Sequence, residues 1–375
     1  MISSEQFLNC LQDAGVHFFA GVPDSLLKEF CACVSEKIDT AHHKICANEG
    51  NAVAMAAGHY LATGKPALVY MQNSGLGNGI NPLLSLADKE VYGIPMLLLI
   101  GWRGEPGIKD EPQHIKQGRI QNSLLNAMEI PSAILDADIE DVPGLVKRML
   151  SLAVELCNPV AIVVRKDTFA RYPDITQQES PSFGIRRERA LEIILETIKD
   201  AIVVSTTGKT SREVYEIRSK TGKASKDFLC VGSMGHASSL ALAIALEKPQ
   251  TKVACLDGDG ALLMHLGAVA VIGNSQPENY LHVLLNNHCH ESVGEQPTPL
   301  QKVDFRKLAE ALGYPEYYYC EKEHELPGLI LKICRVKGPA FLEISIQPGS
   351  RAELGRPKTT ARENKEAFMA GLKKI

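Results

Sequence analysis

The sequence has no cluster of basic residues, no CxxC pair, no low-complexity tract, and no apolar run approaching the ~20 residues that a bilayer crossing needs. Each absence removes a class of function. Lys and Arg number 40 against 44 Asp and Glu, a net charge of −4, which is no electrostatic footprint for nucleic acid. The ten cysteines are scattered, with Cys31 and Cys33 one residue apart; that excludes a zinc ribbon and predicts reduced thiols in a cytoplasmic protein. The start, MISSEQFLNCLQDAG, lacks the basic-then-apolar layout of a secretory signal. What is present is a chain of 375 residues, 45% hydrophobic and 22% charged, the balance of a soluble globular enzyme with room for two cores.

Short apolar runs alternate with helical patterns through the first half. VHFFA (16–20), HKICA (43–47), PALVYM (66–71), PMLLLI (95–100), SAILD (132–136) and PVAIVV (159–164) are predicted strands. Helices are predicted between them, including SLLKEFCACVSEK (25–37), one opening on EGNAVAM at residue 49, and one over 142–156. The Pro-, Ser- and Gln-rich segment RYPDITQQESPSFGI (171–185) breaks the pattern and is predicted to link two domains. Alternation then resumes with strands at AIVVS (201–205), DFLCV (227–231), KVACLD (252–257), YLHVLLN (280–286), YYYC (317–320) and PAFLEISI (339–346). The expectation is α/β throughout: two doubly wound parallel-sheet domains, 1–170 and 186–375, with no middle domain.

KVACLDGDGALLMHLGAVAVIGN (252–274) reads as a strand, a tight turn and a helix. Gly258 and Gly260 let a ligand approach the backbone, and amides at the start of a helix suit a phosphate. Asp259 adds a carboxylate, which suits a hard cation bridging that phosphate. Asn286 and Asn287 end the next strand, Asn287 standing 28 residues (287 − 259) after Asp259. Ends of successive parallel strands share one sheet edge, so Asp259 and Asn287 are candidates for one ion.

GDG followed at this interval by Asn-Asn resembles the thiamine diphosphate-dependent 2-oxo acid decarboxylase family. The resemblance implies magnesium held by Asp259, Asn287 and the main-chain carbonyl of Cys289, since a thiolate is the wrong partner for that ion. It implies thiamine diphosphate against Gly258, Asp259, Gly260, Ala261 and Asn287. In STTGKTS (205–211), Thr207 and Gly208 would touch the cofactor. In VGSMGHA (231–237), Gly232, Ser233 and Met234 would bind it and Met234 would support its bent shape, although Met234 taken alone reads as a core residue. The stretch Asn-Glu-Gly-Asn-Ala after the strand at 43–47 resembles the family's pyrimidine-binding domain. Glu49 would there hydrogen-bond the aminopyrimidine and favour the tautomer that activates the thiazolium. The bland alternative is an acid complementing a helix dipole. The family's layout implies at least a dimer, with the active site between subunits. GLGNGIN (75–81) lacks the GxGxxG spacing of a nicotinamide site.

Within the family, GVPDSLLKEFC (21–31), NSGLGNGINPLLSLAD (73–88), IPMLLLIGWRGEPGIKDEPQH (94–114), GDGALLMHLGAVAVIG (258–273) and LLNNHCHESVGEQPT (284–298) are most similar to the branch that decarboxylates 3-phosphonopyruvate. That implies release of phosphonoacetaldehyde and carbon dioxide, a step of phosphonate (2-aminoethylphosphonate) biosynthesis. Sulfopyruvate or another 2-oxo acid, or transfer to an acceptor aldehyde, are the alternatives. A non-catalytic binding subunit is disfavoured because Glu49, Asp259 and Asn287 are all present. Asp24, Ser25 and Arg103 are the candidates to face substrate, with Lys109, His114 and Lys116 adding donors in one loop. His290 or Glu291 is expected to relay a proton, with His114 as the rival.

Overall fold

The structure is a computed structural model that describes residues 1–173, 184–221 and 226–373. It divides into two compact units, Met1–Gln178 with Val293–Pro299, and Glu179–Ser292 with Leu300–Ile375. Most of the predicted linker, residues 174–183, lies outside the described residues.

The first unit is built on β1 (Phe19–Gly21), β2 (His43–Ile45), β3 (Ala67–Gln72), β4 (Met96–Gly101), β5 (Ser132–Leu135) and β6 (Pro159–Val164). All pair in parallel in the order β2-β1-β3-β4-β6-β5. Both faces are covered, which is why β4 and β6 read as unbroken apolar runs. Leu97, Leu99, Val160 and Ile162 pack with Phe7, Phe30 and Val34 on one face. Leu98, Ile100, Ala161 and Val163 pack with Val53, Ala56 and Leu83 on the other. Each such aliphatic side chain contributes roughly 1.5–3 kcal/mol by leaving water.

The second unit repeats the plan with β7 (Ile185–Arg186), β8 (Ile202–Ser205), β9 (Asp227–Leu229), β10 (Val253–Gly258) and β11 (Tyr280–Asn286). Beyond them lie two-residue strands β12 (Cys289–His290) and β13 (Gln296–Pro297), then β14 (Glu316–Cys320) and β15 (Ala340–Gln347). The sheet order is β14-β15-β11-β10-β8-β9, with β7 also pairing β15. Helices cover both faces here too.

The twelve predicted strands all form. β7, β12 and β13 were not predicted, since two residues carry no periodicity, and Ile185 at the end of the predicted linker already sits in β7. A second difference concerns Ser25. The helix predicted from Ser25 starts at Lys28, because Asp24 folds the chain into a turn first: its Oδ2 accepts from Leu26 N at 3.0 Å and its carbonyl from Leu27 N at 3.2 Å. All ten cysteines are free thiols. Among the described residues no helix is long and apolar enough to cross a membrane.

Candidate active site

In the first sheet the strand order turns between β1 and β3. Ligands of open parallel sheets bind beyond the carboxyl ends of the strands at such a point, and the segments leaving β1, β3 and β4 meet there. Gln72 Nε2 donates to Asp24 Oδ1 at 2.6 Å. Asn73 Nδ2 donates to the Arg103 carbonyl at 2.7 Å and its Oδ1 accepts from Arg103 N at 3.2 Å. Arg103 grips Asp110 through Nε (2.8 Å) and Nη2 (2.5 Å), and donates Nη1–H to Ser25 Oγ at 2.8 Å. Against the upward push of burial, that guanidinium holds the Asp110 carboxyl well below the usual carboxylate range. The preceding residue, Trp102, is buried and donates its indole N–H to the Gly118 carbonyl at 2.9 Å. His114 lies in the next helix, Pro112–Ala127, with a buried Nδ1 that has no hydrogen-bond partner. Burial, then Arg103, pushes its pKa down to about 4, so the ring is neutral near pH 7. Lys109 and Lys116 are exposed.

Asp24 is held inside the loop that carries Ser25. It is 0% exposed, both carboxylate oxygens are occupied, and a Cβ at Gly101 would stand 3.0 Å from its Cγ. It shapes the loop and presents Ser25.

Glu49 opens the helix Glu49–Thr63, whose N-cap, Asn48, accepts from Asn51 N at 2.9 Å. Its side chain is nevertheless buried, 4% exposed. Asn78 Nδ2 donates to Glu49 Oε2 at 2.8 Å. The other oxygen crosses Gly75, where a Cβ would come 2.6 Å from Glu49 Cγ and overlap the carboxyl itself. Burial raises the pKa of this carboxyl, and the Asn78 bond offsets that only in part. Glu49 thus lies in the first turn of its helix but out of solvent. Gly75 and Asn78 were missed as site residues: GLGNGIN was weighed only as a nucleotide fingerprint, whereas it wraps the carboxyl of Glu49.

In the second sheet the order turns between β8 and β10. Thr207, Gly208, Asp259 and Asn287 all lie just beyond the carboxyl ends of β8, β10 and β11. The register sets Gly258 beside Leu285, so Asp259 and Asn287 leave one sheet edge within a residue of each other. No tight turn intervenes after β10: the chain passes straight into the helix Asp259–Met264. Asp259 is buried. Asn286 is fully buried, its Nδ2 donating to Glu343 Oε1 at 2.8 Å and its Oδ1 accepting from His288 N at 3.2 Å, whereas Asn287 is partly exposed. Asn287 accepts from Cys289 N at 3.2 Å and donates Nδ2–H to Glu291 Oε2 at 3.0 Å.

Thr207 Oγ1 donates to the Val231 carbonyl at 2.9 Å, tying the loop after β8 to that after β9. Gly208 takes φ 89, and Ser233 takes φ 58, a left-handed conformation that non-glycine residues seldom adopt. Ser233 sits between Gly232 and Met234, and its Oγ lies 3.1 Å from His236 Nδ1. A Cβ at Gly260 would come within 3.0 Å of the His290 ring and 3.3 Å of Met234 Cε, so Gly260 makes room for both, and Ala261 beside it is buried. His290 is buried with Nε2 unpartnered, and burial pushes its pKa down to about 4. Glu291 differs. Burial would raise its pKa, but Arg187 Nη1 at 2.5 Å and Lys209 Nζ at 2.7 Å prevail and lower it. Both oxygens of Glu291 are thus engaged by cations.

Among the described residues, Cys255, Asp257 and His282 bring their donor atoms within 4.8 Å of one another, all buried. His282 already faces Tyr314 Oη at 3.1 Å and Asp257 Oδ2 at 3.4 Å, and burial keeps the Cys255 thiol protonated. The trio belongs to the core, on β10 and β11, where Tyr314, His282 and Asp257 form a hydrogen-bond chain.

Residues 1–130 match the thiamine pyrophosphate enzyme N-terminal TPP binding domain, and residues 207–344 its C-terminal TPP binding domain. The chain is 34% identical to a phosphonopyruvate decarboxylase of Streptomyces viridochromogenes, over 99% of this chain and 95% of that one. It is 34% identical to a phosphonopyruvate decarboxylase of Streptomyces hygroscopicus, over 98% and 93%. It is 27% identical to a sulfopyruvate decarboxylase of Methanosarcina acetivorans, over 92% of each. The chain belongs to the thiamine pyrophosphate enzyme family.

The residues present fit the cofactor of that family. Side-chain atoms of Thr206, His265, His288 and His290 are buried without partners near the carboxyl edge of the second sheet, and native proteins rarely leave such atoms unpaired unless something else meets them. A Cβ at Gly258 would meet nothing within 4 Å, so the backbone there is open to a ligand. Asp259, Asn287 and the Cys289 carbonyl would offer only oxygen donors, a chemistry that suits magnesium.

Proposed function

We propose that this protein is a thiamine diphosphate- and magnesium-dependent carboxy-lyase that converts 3-phosphonopyruvate to phosphonoacetaldehyde and carbon dioxide, in the cytoplasm, as a step of phosphonate biosynthesis. The observation that carries the proposal is the buried carboxyl of Glu49, crossing a glycine and held by Asn78, in a chain similar over its full length to phosphonopyruvate decarboxylases. Bound thiamine diphosphate supplies the electron sink that a 2-oxo acid needs in order to lose carbon dioxide.

This chain's residues do the rest. Asn78 donates to Oε2 of Glu49, so Oε1 is the oxygen left to meet the cofactor's aminopyrimidine. Thr207, Gly208, Gly258, Gly260, Ala261 and Asp259 line the diphosphate. Asp259, Asn287 and the Cys289 carbonyl hold magnesium, and Gly232, Ser233 and Met234 support the bent cofactor. Ser25 and Arg103 meet the phosphonate. Asp110 shares the guanidinium and fixes its plane, so donors rather than a bare charge do the gripping. His290 or Glu291 relays the proton, with His114 as the rival.

The pyrimidine-binding half of one subunit serves the diphosphate-binding half of another, in a homodimer or larger assembly. Exposed Met55 and Leu61 on the Glu49 helix, and Leu240 and Val271 in the second unit, support burial against a second copy.

Steady-state decarboxylation of phosphonopyruvate, sulfopyruvate and pyruvate tests the assignment. A tenfold preference for either of the other two acids rejects it, and condensation with an added aldehyde as the main product favours a transferase.

A further inference from the structure

The side chain of Asn287 has two ends, and only one of them can ligate a cation. A carboxylate can only accept and a backbone N–H can only donate. Glu291 Oε2, 3.0 Å away, therefore fixes the nitrogen end, and Cys289 N, 3.2 Å from Oδ1, fixes the oxygen end. Glu291 is itself immobilised. Arg187 Nη1 holds Oε2 at 2.5 Å and Lys209 Nζ holds Oε1 at 2.7 Å. Arg187 is anchored in turn by Glu213, through Nε at 2.7 Å and Nη2 at 2.9 Å. Two cations and two anions make a closed, neutral set in which Arg187, Glu213 and the Glu291 side chain are all less than a tenth exposed.

We propose that Glu291 is a positioning residue. Clamped by Arg187 and Lys209, it orients the Asn287 amide so that oxygen rather than nitrogen faces the divalent cation. Saturation by two cations also stops the Glu291 carboxylate from turning to bind the ion itself. The inference rests on the reading of Asn287 as a ligand and adds what makes it one.

The test is manganese binding to the cofactor-loaded protein, counted by electron paramagnetic resonance, with no turnover required. Glu291→Gln offers an amide that tolerates either orientation of its neighbour, so affinity falls 10- to 100-fold, the range for losing a group that orients a metal ligand. In an Asn287→Asp background both ends are oxygen and there is nothing to orient, so Glu291→Gln costs less than threefold there or tightens binding. An equal loss in both backgrounds, or no loss in the first, overturns the proposal.

Should Glu291→Gln fail to fold because a buried cation is left unpaired, Lys209→Met with Glu291→Gln keeps the cluster neutral and is compared in the same two backgrounds. Asn287→Ala separates the two layers. If manganese binding survives in it, the ligand reading itself fails; if binding is lost there but Glu291→Gln is silent, only the orienting role fails.

Discussion

Replacing Glu49 by Gln keeps the size of the side chain and an oxygen for Asn78 to donate to at 2.8 Å. What it removes is the exchangeable proton. A positioned acid–base group is worth ~10²–10⁴-fold in rate, about 3–5 kcal/mol at 1.36 kcal/mol per tenfold. Turnover with saturating cofactor and magnesium should fall by that factor, with KM little changed. Stability should move the other way. Because burial raises the Glu49 pKa, the folded chain keeps this proton to higher pH than the unfolded chain does. The cost of Glu49 is therefore absent below the titration of a free glutamate, near ~4.3, and grows as the pH rises above it. The Gln variant escapes that cost, so its melting temperature at pH 8 should equal or exceed that of the parent, and the difference should close towards pH 4. The assay pairs initial rates of decarboxylation with thermal melts at the two pH values. Turnover within fivefold of the parent refutes the assigned role, and a variant melting well below the parent at pH 8 refutes the account of the burial cost.

Gly75→Ala should displace the Glu49 carboxyl, since the new methyl would overlap it. Misplacement of ~1 Å can cost ~10²-fold in rate, so kcat should fall by about that much while circular dichroism stays native; a kcat within threefold refutes the cradle. Asp259→Ala should weaken retention of both magnesium and cofactor, seen as faster loss of thiamine diphosphate on gel filtration, and unchanged magnesium dependence argues against ligation. Arg103→Met should raise KM for phosphonopyruvate at least tenfold and for pyruvate much less, because only the former brings a second strong anion; equal effects on both remove the residue from substrate recognition. The His114 pKa is lowered to about 4, so its stabilising contribution is present above the unfolded value of ~6.5 and is lost as pH falls towards 4. His114→Asn should flatten the drop in melting temperature between those limits, and an unaltered profile contradicts the burial.

The fold was legible in the sequence wherever a strand was long enough to be covered on both faces, as PMLLLI and YLHVLLN are. That Asp259 and Asn287 share one sheet edge was legible because each follows directly on such a strand, and the sheet puts strand ends together. The burial of Asp24 was not legible, because Gln72, which holds it, stands 48 residues away. The clamp on Glu291 was not readable either. Arg187 opens RERALEII as an ordinary charged helix start, and its partners lie 26 and 104 residues further on. Pairings at such separations leave no periodic trace. Asn78 and Gly75 were in plain sight, but their meaning depends on the Glu49 side chain lying across them.

The chain has one tryptophan, and it is the buried Trp102 whose indole is anchored on Gly118. All indole emission therefore originates one residue from Arg103. Excited selectively over the ten tyrosines, that indole reports optically on the segment that carries Arg103, in the unmodified protein and without a dye.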